Sequence, residues 1–410
     1  MKSATPIRVA VHNARLLNIR DLGRSEEAIR LVGCDPGGVP IMAPKAVWYT
    51  FRLERVDSRA ALIIKQEMLS AGGDAAICRG ALGRTSKLSG ILVMGTRKQV
   101  GRALGKLGYQ PFGCREIAGE LSSVIANLDR GRDFTLRCGK RKLRLGKKTH
   151  VMGILNVTPD SFSDGGHFLD AGEAVAHGLR LVEEGADILD VGGESTRPGA
   201  APLSLSAEEK RVLPVIRALA GKVDVPISVD TYKPALAARA LDAGASLVND
   251  IFGLRRKGMA ELVARRDVPV VIMHMQGTPR NMQHAPAYTD VVGEVHAFLH
   301  ERLRSAARAG IDPEKTVIDP GIGFGKTSDD NFRLLSRLGE FRGLGRPLLL
   351  GASRKSFIGG TLDLPVDRRL EGSLAAAVVS IMNGASIIRA HDVAETVRAT
   401  RIADAILGSG

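Results

Sequence analysis

From His150 to Leu407, short apolar segments alternate eight times with longer amphipathic segments. The apolar segments are nearly continuous, which is typical of strands covered on both faces, and the segments between them have helical spacing. The predicted strands are His150–Val157, Ile188–Gly193, Val225–Asp230, Leu247–Asp250, Pro269–His274, Thr316–Pro320, Pro347–Ser353 and Ile387–Ala390. Eight strand–helix repeats in about 260 residues predict an α/β fold, a closed (β/α)8 TIM barrel, with an open doubly wound sheet as the alternative.

The residues before His150 differ from the rest of the chain in charge. Of the 58 Lys and Arg residues and 44 Asp and Glu residues, 28 basic and 12 acidic ones occur up to Thr149, leaving 30 and 32. The net charge is therefore +16 in the first part and −2 in the second. Strand and helix signals occur in the first part too, among them a strand over Ile7–Asn18. We predict two domains, a small basic α/β domain of unknown role at 1–149 and the barrel at 150–410.

Basic residues cluster at the end of the first part, within the predicted hairpin Phe134–Leu145 and just after it. They are Arg137, Lys140, Arg141, Lys142, Arg144, Lys147 and Lys148. Such a cluster is compatible with a nucleic-acid surface or with a solvated basic face. Because no aromatic residues are interleaved with the charges, we favour the solvated face and expect no nucleic-acid partner.

The sequence offers no sign of a membrane or of secretion. No apolar run approaches the ~18 residues that span a bilayer. The first residues, MKSATPIRVAVHNAR, lack the apolar core and the cleavage site of a signal peptide. A cytoplasmic location is therefore expected.

Polar residues stand at or just beyond the carboxyl end of nearly every predicted barrel strand. They are Asn156, Glu194, Ser195, Thr196, Arg197, Asp230, Asn249, Asp250, His274, Asp319, Ser353, Arg354, Lys355, Arg389 and His391. In a (β/α)8 barrel these strand ends meet at the face that carries the active site. One buried polar group could be structural, but so many at one face indicate a functional site.

The acidic and amide members of this set suit a nitrogen heterocycle. Asp230, Asn249 and Asp319 can accept hydrogen bonds from ring N–H and amino groups, which need acceptors when they are buried. Asn156 supplies a neutral oxygen, which suits Mg²⁺ when a diphosphate provides most of the other ligands. A magnesium cofactor is therefore expected, with Asn156 as its protein ligand.

The basic members suit an anionic leaving group. Arg197, Lys355, Arg389 and His391 can donate hydrogen bonds to phosphate oxygens and to developing negative charge. No arrangement of Ser, His and Asp or of Cys and His indicates a covalent enzyme intermediate. These residues together predict a transferase or lyase that acts on a nitrogen heterocycle.

Eight segments carry a family resemblance. They read NVTPDSFSDGG from Asn156, GGESTRPG from Gly192, ISVDT from Ile227, VNDI from Val248, MHMQ from Met273, DPGIGFGK from Asp319, SRK from Ser353 and RAH from Arg389. In this order, they resemble the motif series of the dihydropteroate synthases of folate biosynthesis. The resemblance covers about His150–Gly410 and leaves the first 149 residues unexplained.

The resemblance implies that 6-hydroxymethyl-7,8-dihydropterin diphosphate condenses with 4-aminobenzoate to give 7,8-dihydropteroate and diphosphate by an SN1-like route. The residues implied as catalytic are Asp230, Asp319, Lys355, Arg389 and His391. Those implied to bind the pterin are Asp230, Asn249, Met273, Asp319 and Lys355. Those implied to bind the diphosphate are Asn156, Thr196, Arg389 and His391. Those implied for the aminobenzoate pocket and its loops are Asp160, Phe162, Thr196, Arg197, Pro198, Phe324 and Ser356.

Two alternatives to a synthase are considered. A pterin-binding methyltransferase has a similar barrel but no diphosphate to hold, so it does not need Lys355, Arg389 and His391 together. A catalytically inactive binding module predicts replaced residues at the strand ends, and none of the matched positions is replaced. The family resemblance also implies a homodimer and competition by sulfonamides.

Overall fold

A computed structural model describes residues 12–82, 88–157, 171–195 and 199–408. The chain divides into two compact units, Met1–Asp129 and Arg130–Gly410. Within the described ranges, no helix is both long enough and apolar enough to cross a bilayer.

The first unit contains an antiparallel three-stranded sheet and helices packed on it. The strands are β1 (Trp48–Asp57), β2 (Asp74–Ile77) and β3 (Leu88–Thr96), in the order β1-β3-β2. The helices are α1 (Leu22–Leu31), α2 (Val39–Ala46), α3 (Ser58–Ala71), α4 (Arg97–Leu107) and α5 (Cys114–Arg130). Residues 12–18 form no strand, so the prediction for Ile7–Asn18 is wrong there, and its first residues lie outside the described ranges.

The second unit begins with a hairpin, β4 (Phe134–Cys138) and β5 (Arg141–Leu145). Leu136 and Leu145 on its buried face share one apolar cluster with Met152, Ile188 and other residues from the barrel interior. The hairpin thus covers the amino-terminal end of the barrel. The compact unit therefore begins at Arg130, whereas the predicted domain boundary lies between Thr149 and His150.

Eight strands form a closed barrel in chain order, and all neighbouring pairs are parallel. They are β6 (His150–Asn156), β7 (Ile188–Gly192), β8 (Ile227–Asp230), β9 (Leu247–Asp250), β10 (Val270–Met273), β11 (Thr316–Asp319), β12 (Leu348–Leu350) and β13 (Ala385–Ala390). The helices of this unit are α6 (Ala171–Glu183), α7 (Leu205–Ala220), α8 (Pro234–Asp242), α9 (Met259–Arg266), α10 (Val291–Arg308), α11 (Ser328–Ser336), α12 (Ser356–Leu362), α13 (Leu370–Met382) and α14 (Val393–Gly408). The predicted TIM barrel is confirmed, and the open sheet is excluded.

The barrel interior changes from apolar to polar along its axis. Residues two apart in a strand point to the same side of the sheet. On four strands, an apolar residue of the cluster that the hairpin covers is followed two positions later by a polar residue. The pairs are Ile188 and Asp190, Leu247 and Asn249, Val317 and Asp319, and Ile387 and Arg389. A polar layer therefore lies on an apolar layer, at the carboxyl end of the strands.

Candidate active site

A hydrogen-bonded network crosses the polar layer from four strands. The guanidinium of Arg389 on β13 donates from Nε to Asp190 Oδ2 on β7 over 2.6 Å and from Nη2 to Asp230 Oδ2 on β8 over 2.7 Å. Asn249 on β9 donates from Nδ2 to the same Asp190 oxygen over 2.9 Å. Asp190 is completely buried, and the Arg389 side chain is 20% exposed. The network fixes these side chains on the rigid strands rather than on loops.

Burial shifts two acidic groups of this layer, Asp230 and Asp319, toward the neutral form. The pKa of Asp230 rises to about 7 because burial disfavours its charge; Asp190 adds to the rise and Arg389 opposes it. Burial also raises the pKa of Asp319, against the effect of the nearby Lys355 ammonium. A raised carboxylate pKa is common at functional sites, and for Asp230 the ion pair with Arg389 at the strand ends points the same way.

Lys355 follows β12 and lies against the loop that follows β11. Its Nζ donates to the carbonyl of Ile322 and lies 4.6 Å from the centre of the Phe324 ring. Burial lowers the pKa of Lys355 to about 8, while Asp319 holds it up. A Cβ on Gly323, whose φ is +79°, would lie 2.8 Å from Cδ of Lys355, so this glycine makes room for the lysine stem.

The glycine-rich loop DPGIGFGK does not form a phosphate-binding loop in its first turn. The N–H of Gly321 donates to Asp319 over 2.7 Å, and the N–H of Gly323 donates to Oδ1 of Asn331 over 2.7 Å. Gly321 has a φ of +69°, and a Cβ there would lie 1.9 Å from the carbonyl oxygen of His274. These two backbone N–H groups therefore stabilise the loop itself and are not available to bind a phosphate.

Lys326 stabilises the same loop through hydrogen bonds to its carbonyl groups. Its Nζ donates to the carbonyls of Gly321 and Phe324 over 2.9 and 3.0 Å and contacts Nδ1 of His274 over 2.9 Å. Lys326 is only 2% exposed, and burial lowers its pKa to about 7. Burial and the Lys326 charge lower the pKa of His274 to about 2, so that ring is neutral and can accept. Both residues act structurally here.

His391 is oriented by Ser353. The Ser353 hydroxyl lies 3.0 Å from Nδ1 of His391 and accepts the backbone N–H of His391 over 3.2 Å. Burial, reinforced by the Arg389 charge, lowers the pKa of His391 to about 3. In the tautomer in which Nδ1 accepts from the Ser353 hydroxyl, the neutral ring carries its proton on Nε2, and that nitrogen is a donor.

Asn156 ends β6, beside Gly192 of β7. Within the described ranges, its amide has no hydrogen-bond partner, and no group of three His, Cys, Asp or Glu residues is placed to hold a metal ion. One neutral oxygen without a carboxylate cage fits Mg²⁺ that takes most of its ligands from a diphosphate and water, and it does not fit zinc.

Other described residues predicted for the site lie outside the network around Arg389. Met273 is 3% exposed and belongs, with Phe324 at its edge, to an apolar cluster beside the polar layer. Ser356 is exposed at the start of α12. Asp160, Phe162, Thr196, Arg197 and Pro198 lie outside the described residues.

Two further polar residues at the strand ends serve the scaffold. Asp250 accepts the backbone N–H groups of Phe252 and Leu254, each over 2.8 Å, and so shapes the turn after β9. Glu194 pairs with Lys233 over 2.5 Å. Neither joins the network around Arg389.

Asp190 and Lys326 were not among the site residues predicted from the sequence. Asp190 is an acidic residue inside the apolar run ILDVG, and an unpaired acid would be costly there. That conflict was a usable signal for a buried partner, although it does not say which residue pairs with it.

Comparisons with known proteins agree with this geometry. A family described as "Pterin binding enzyme" matches residues 152–391. The chain is 51% identical over 260 residues to dihydropteroate synthase of Escherichia coli K12, which covers 63% of this chain and 92% of that protein. It is 38% identical over 392 residues to a probable bifunctional folylpolyglutamate synthase/dihydropteroate synthase of Halobacterium salinarum, which covers 95% of this chain and 46% of that protein. Since it covers 95% of the chain, this second similarity extends into the first unit.

Solved structures give the same result for the barrel. Dihydropteroate synthase of Xanthomonas albilineans with 4-aminobenzoic acid has a TM-score of 0.64 at 48% identity and covers 67% of this chain and 98% of that one. The same enzyme with 7,8-dihydropteroate gives 0.61 at 46%, with the same coverage. The Yersinia pestis enzyme in a sulfonamide complex gives 0.65 at 46%, covering 67% and 100%. The chain therefore belongs to the pterin-binding enzymes and, among them, to the dihydropteroate synthases of folate synthesis.

Proposed function

We propose that the chain condenses 6-hydroxymethyl-7,8-dihydropterin diphosphate with 4-aminobenzoate, releasing diphosphate and 7,8-dihydropteroate. The polar layer over the apolar barrel core is the observation that carries this proposal. It brings acceptors for a nitrogen heterocycle and donors for a phosphate group together at one end of the barrel. The aminobenzoate and dihydropteroate complexes of the Xanthomonas albilineans enzyme support the choice of substrate and product.

The pterin ring would bind between the acceptors and the apolar wall. Asp230, Asn249 and Asp319 would accept its N–H and amino hydrogens, and Met273 would pack on its face. Lys355 would donate to the opposite edge of the ring, leaving its contact with the Ile322 carbonyl. The exchange of one acceptor for another keeps the buried ammonium hydrogen-bonded throughout.

The diphosphate would bind at the end of β13 and β6. Arg389 has its Nη1 group without a partner among the described residues, and His391 offers Nε2–H. Asn156 would hold Mg²⁺ together with the diphosphate oxygens, and the bound ion would neutralise charge on the leaving group. Thr196 would add a donor from the loop after β7.

The proposed route is SN1-like. Departure of the diphosphate would leave a positive charge on the pterin methylene, which the carboxylates Asp230 and Asp319 would stabilise electrostatically. The arylamine of aminobenzoate is mostly neutral near pH 7 and attacks this carbon without a strong base. Phe324 and Ser356, with the loop residues Asp160, Phe162, Arg197 and Pro198, would form its pocket and exclude water.

We also propose that the protein is a homodimer in the cytoplasm. Large apolar side chains are exposed on two neighbouring barrel helices: Val379 and Met382 on α13, and Ile402 and Ile406 on α14. Exposed apolar groups of this kind on adjacent helices are typical of a protein–protein interface. A second copy of the same chain would bury them.

The test is a product assay on the full chain. The purified protein is incubated with the dihydropterin diphosphate, radiolabelled 4-aminobenzoate and Mg²⁺, and labelled dihydropteroate is separated and counted. We expect product that depends on both substrates. Folded protein that binds pterin but makes no product would refute the proposal and favour a methyltransferase-like or inactive binding barrel.

A further inference from the structure

The amide of Asn249 can present either of two opposite faces to a ligand. Its oxygen accepts hydrogen bonds and its NH₂ group donates them, and a rotation of the amide exchanges the two. Whichever group points into the site decides whether a donor or an acceptor is recognised there. The orientation is therefore a question of specificity, and it is fixed by what lies on the other side of the amide.

Asp190 lies on that other side. A carboxylate without its proton only accepts hydrogen bonds, so the Asn249 group that faces it over 2.9 Å must be the NH₂. Arg389 donates to the same Asp190 oxygen over 2.6 Å, and a guanidinium has no acceptor. Arg389 therefore holds Asp190 in place as an acceptor, and Asp190 in turn directs the Asn249 amide.

The remaining oxygens then form one acceptor set. Asp230 Oδ1, Asn249 Oδ1 and Asp319 Oδ2 accept no hydrogen bond from the described part of the chain. None of these three oxygens is fully enclosed. Asp190 Oδ1 also lacks a partner in the described part of the chain, but it is fully enclosed. Asp190 is thus beneath the set, out of reach of a ligand, while the three oxygens remain available to it.

We propose that Asp190 is a positioning residue that determines specificity by holding the Asn249 amide oxygen toward the ligand. It makes this part of the site select ligands with a hydrogen-bond donor over ligands with an acceptor. The inference rests on the proposed pterin substrate, because it concerns the pocket for that ring. Pterin and lumazine are suitable probes, since lumazine has a carbonyl oxygen where pterin has an amino group.

The experiment measures the dissociation constants of pterin and lumazine for the full chain and for variants. We expect the wild-type protein to prefer pterin. Asp190→Ala removes the acceptor, which lets the Asn249 amide rotate, and the preference should fall about ten-fold or more. Asp190→Asn keeps an oxygen that can accept from both Arg389 and the Asn249 NH₂ group. The preference of this variant for pterin should stay within about three-fold of that of the wild type.

Asp190→Ser is the second variant, should Asp190→Ala fail to fold. A serine hydroxyl can donate as well as accept, so it no longer dictates how the Asn249 amide points. Asp250→Asn is the matched control, since Asp250 is equally buried at the next position after Asn249 but bonds only to backbone N–H groups. We expect it to lower stability without changing the preference.

The outcomes separate the two proposals. An unchanged preference in folded Asp190→Ala or Asp190→Ser would overturn the role of Asp190. A wild-type protein that does not bind pterin would instead count against the proposed function. Loss of preference in Asp250→Asn as well would show a general effect of destabilising the strand ends and would also overturn the inference.

Discussion

Replacing Lys355 with methionine should lower activity and raise stability at the same time. The side chain is partly buried with its ammonium on the Ile322 carbonyl, and burial lowers its pKa from 10.5 to about 8. This shift corresponds to a free-energy cost of about 3 kcal/mol for keeping the charge in the folded protein. Methionine has a similar length and carries no charge, so Lys355→Met removes that cost and loses only one hydrogen bond, to the Ile322 carbonyl.

The sign of the effect depends on pH in a defined way. The pKa of Lys355 is lower in the folded than in the unfolded chain, so the folded state is destabilised while the lysine is protonated. The destabilisation is fully present below about pH 8 and disappears as the pH rises toward 10.5. The stabilisation by Lys355→Met should therefore be largest near pH 7, up to about 3 kcal/mol, and close to zero above pH 10.5.

Activity should move in the opposite direction. A hydrogen bond from a charged donor contributes about 1.5–3 kcal/mol, so losing the contact of Lys355 with the pterin should lower kcat/KM about ten- to a hundred-fold. Urea unfolding monitored by circular dichroism gives the stability, and the product assay gives kcat/KM. A near-normal kcat/KM would remove Lys355 from the site.

Lys326→Met is the matched control for this measurement. Lys326 is also buried, but its ammonium satisfies the carbonyls of Gly321 and Phe324. Removing it leaves buried acceptors without partners, which costs about 1–3 kcal/mol each. Lys326→Met also removes a buried charge, but it leaves two carbonyls and the His274 ring without their donor, so it should be less stable than Lys355→Met. If Lys355→Met is no more stable than Lys326→Met, then Lys355 is a structural residue and the argument from its burial is wrong.

Three further outcomes are expected. The pH profile of kcat/KM should be bell-shaped, falling below about pH 7 as Asp230 is protonated and above about pH 8 as Lys355 loses its proton; a flat profile from pH 6 to 9 would contradict this assignment. A sulfonamide should compete with 4-aminobenzoate, so that it raises the KM for 4-aminobenzoate and leaves kcat unchanged. A decrease in kcat with no change in this KM would show that the drug binds elsewhere. Ile402→Glu should convert the dimer to a monomer in light scattering, whereas the control Ile41→Glu on α2, also exposed, should not.

The barrel was predictable because its signals are repeated and local. All eight predicted strands occur, and Leu247–Asp250 even has the predicted ends. The helix α12 was missed, since seven residues starting with SFIGG carry too short a pattern. The end of the first compact unit differs from the predicted boundary because the apolar face of the hairpin is covered by barrel residues more than 50 positions away, such as Leu247 and Leu349.

The site was predictable as a set of residues but not as a network. Strand ends meet at one face in a barrel, so Asp230, Asn249 and Arg389 could be grouped from the sequence. Which of them pair depends on side chains that cross the barrel, and no sequence pattern encodes that crossing. The proposed roles of these residues in binding and catalysis stay predictions until the assays are done.

The distribution of charge in the polar layer suits the charge separation of the proposed reaction. Among the described residues, Arg389 pairs with Asp190 and Asp230, and Lys355 lies near Asp319, so these carboxylates already have cationic neighbours before a neutral pterin ring would bind. The diphosphate brings negative charge, for which Mg²⁺ is the natural partner. In the proposed step, positive charge would develop near Asp230 and Asp319, and negative charge would move toward Arg389 and His391. Both charges would then develop beside groups of opposite sign or matching hydrogen-bonding capacity that the fold already holds in place, so the proposed step would require little reorganisation.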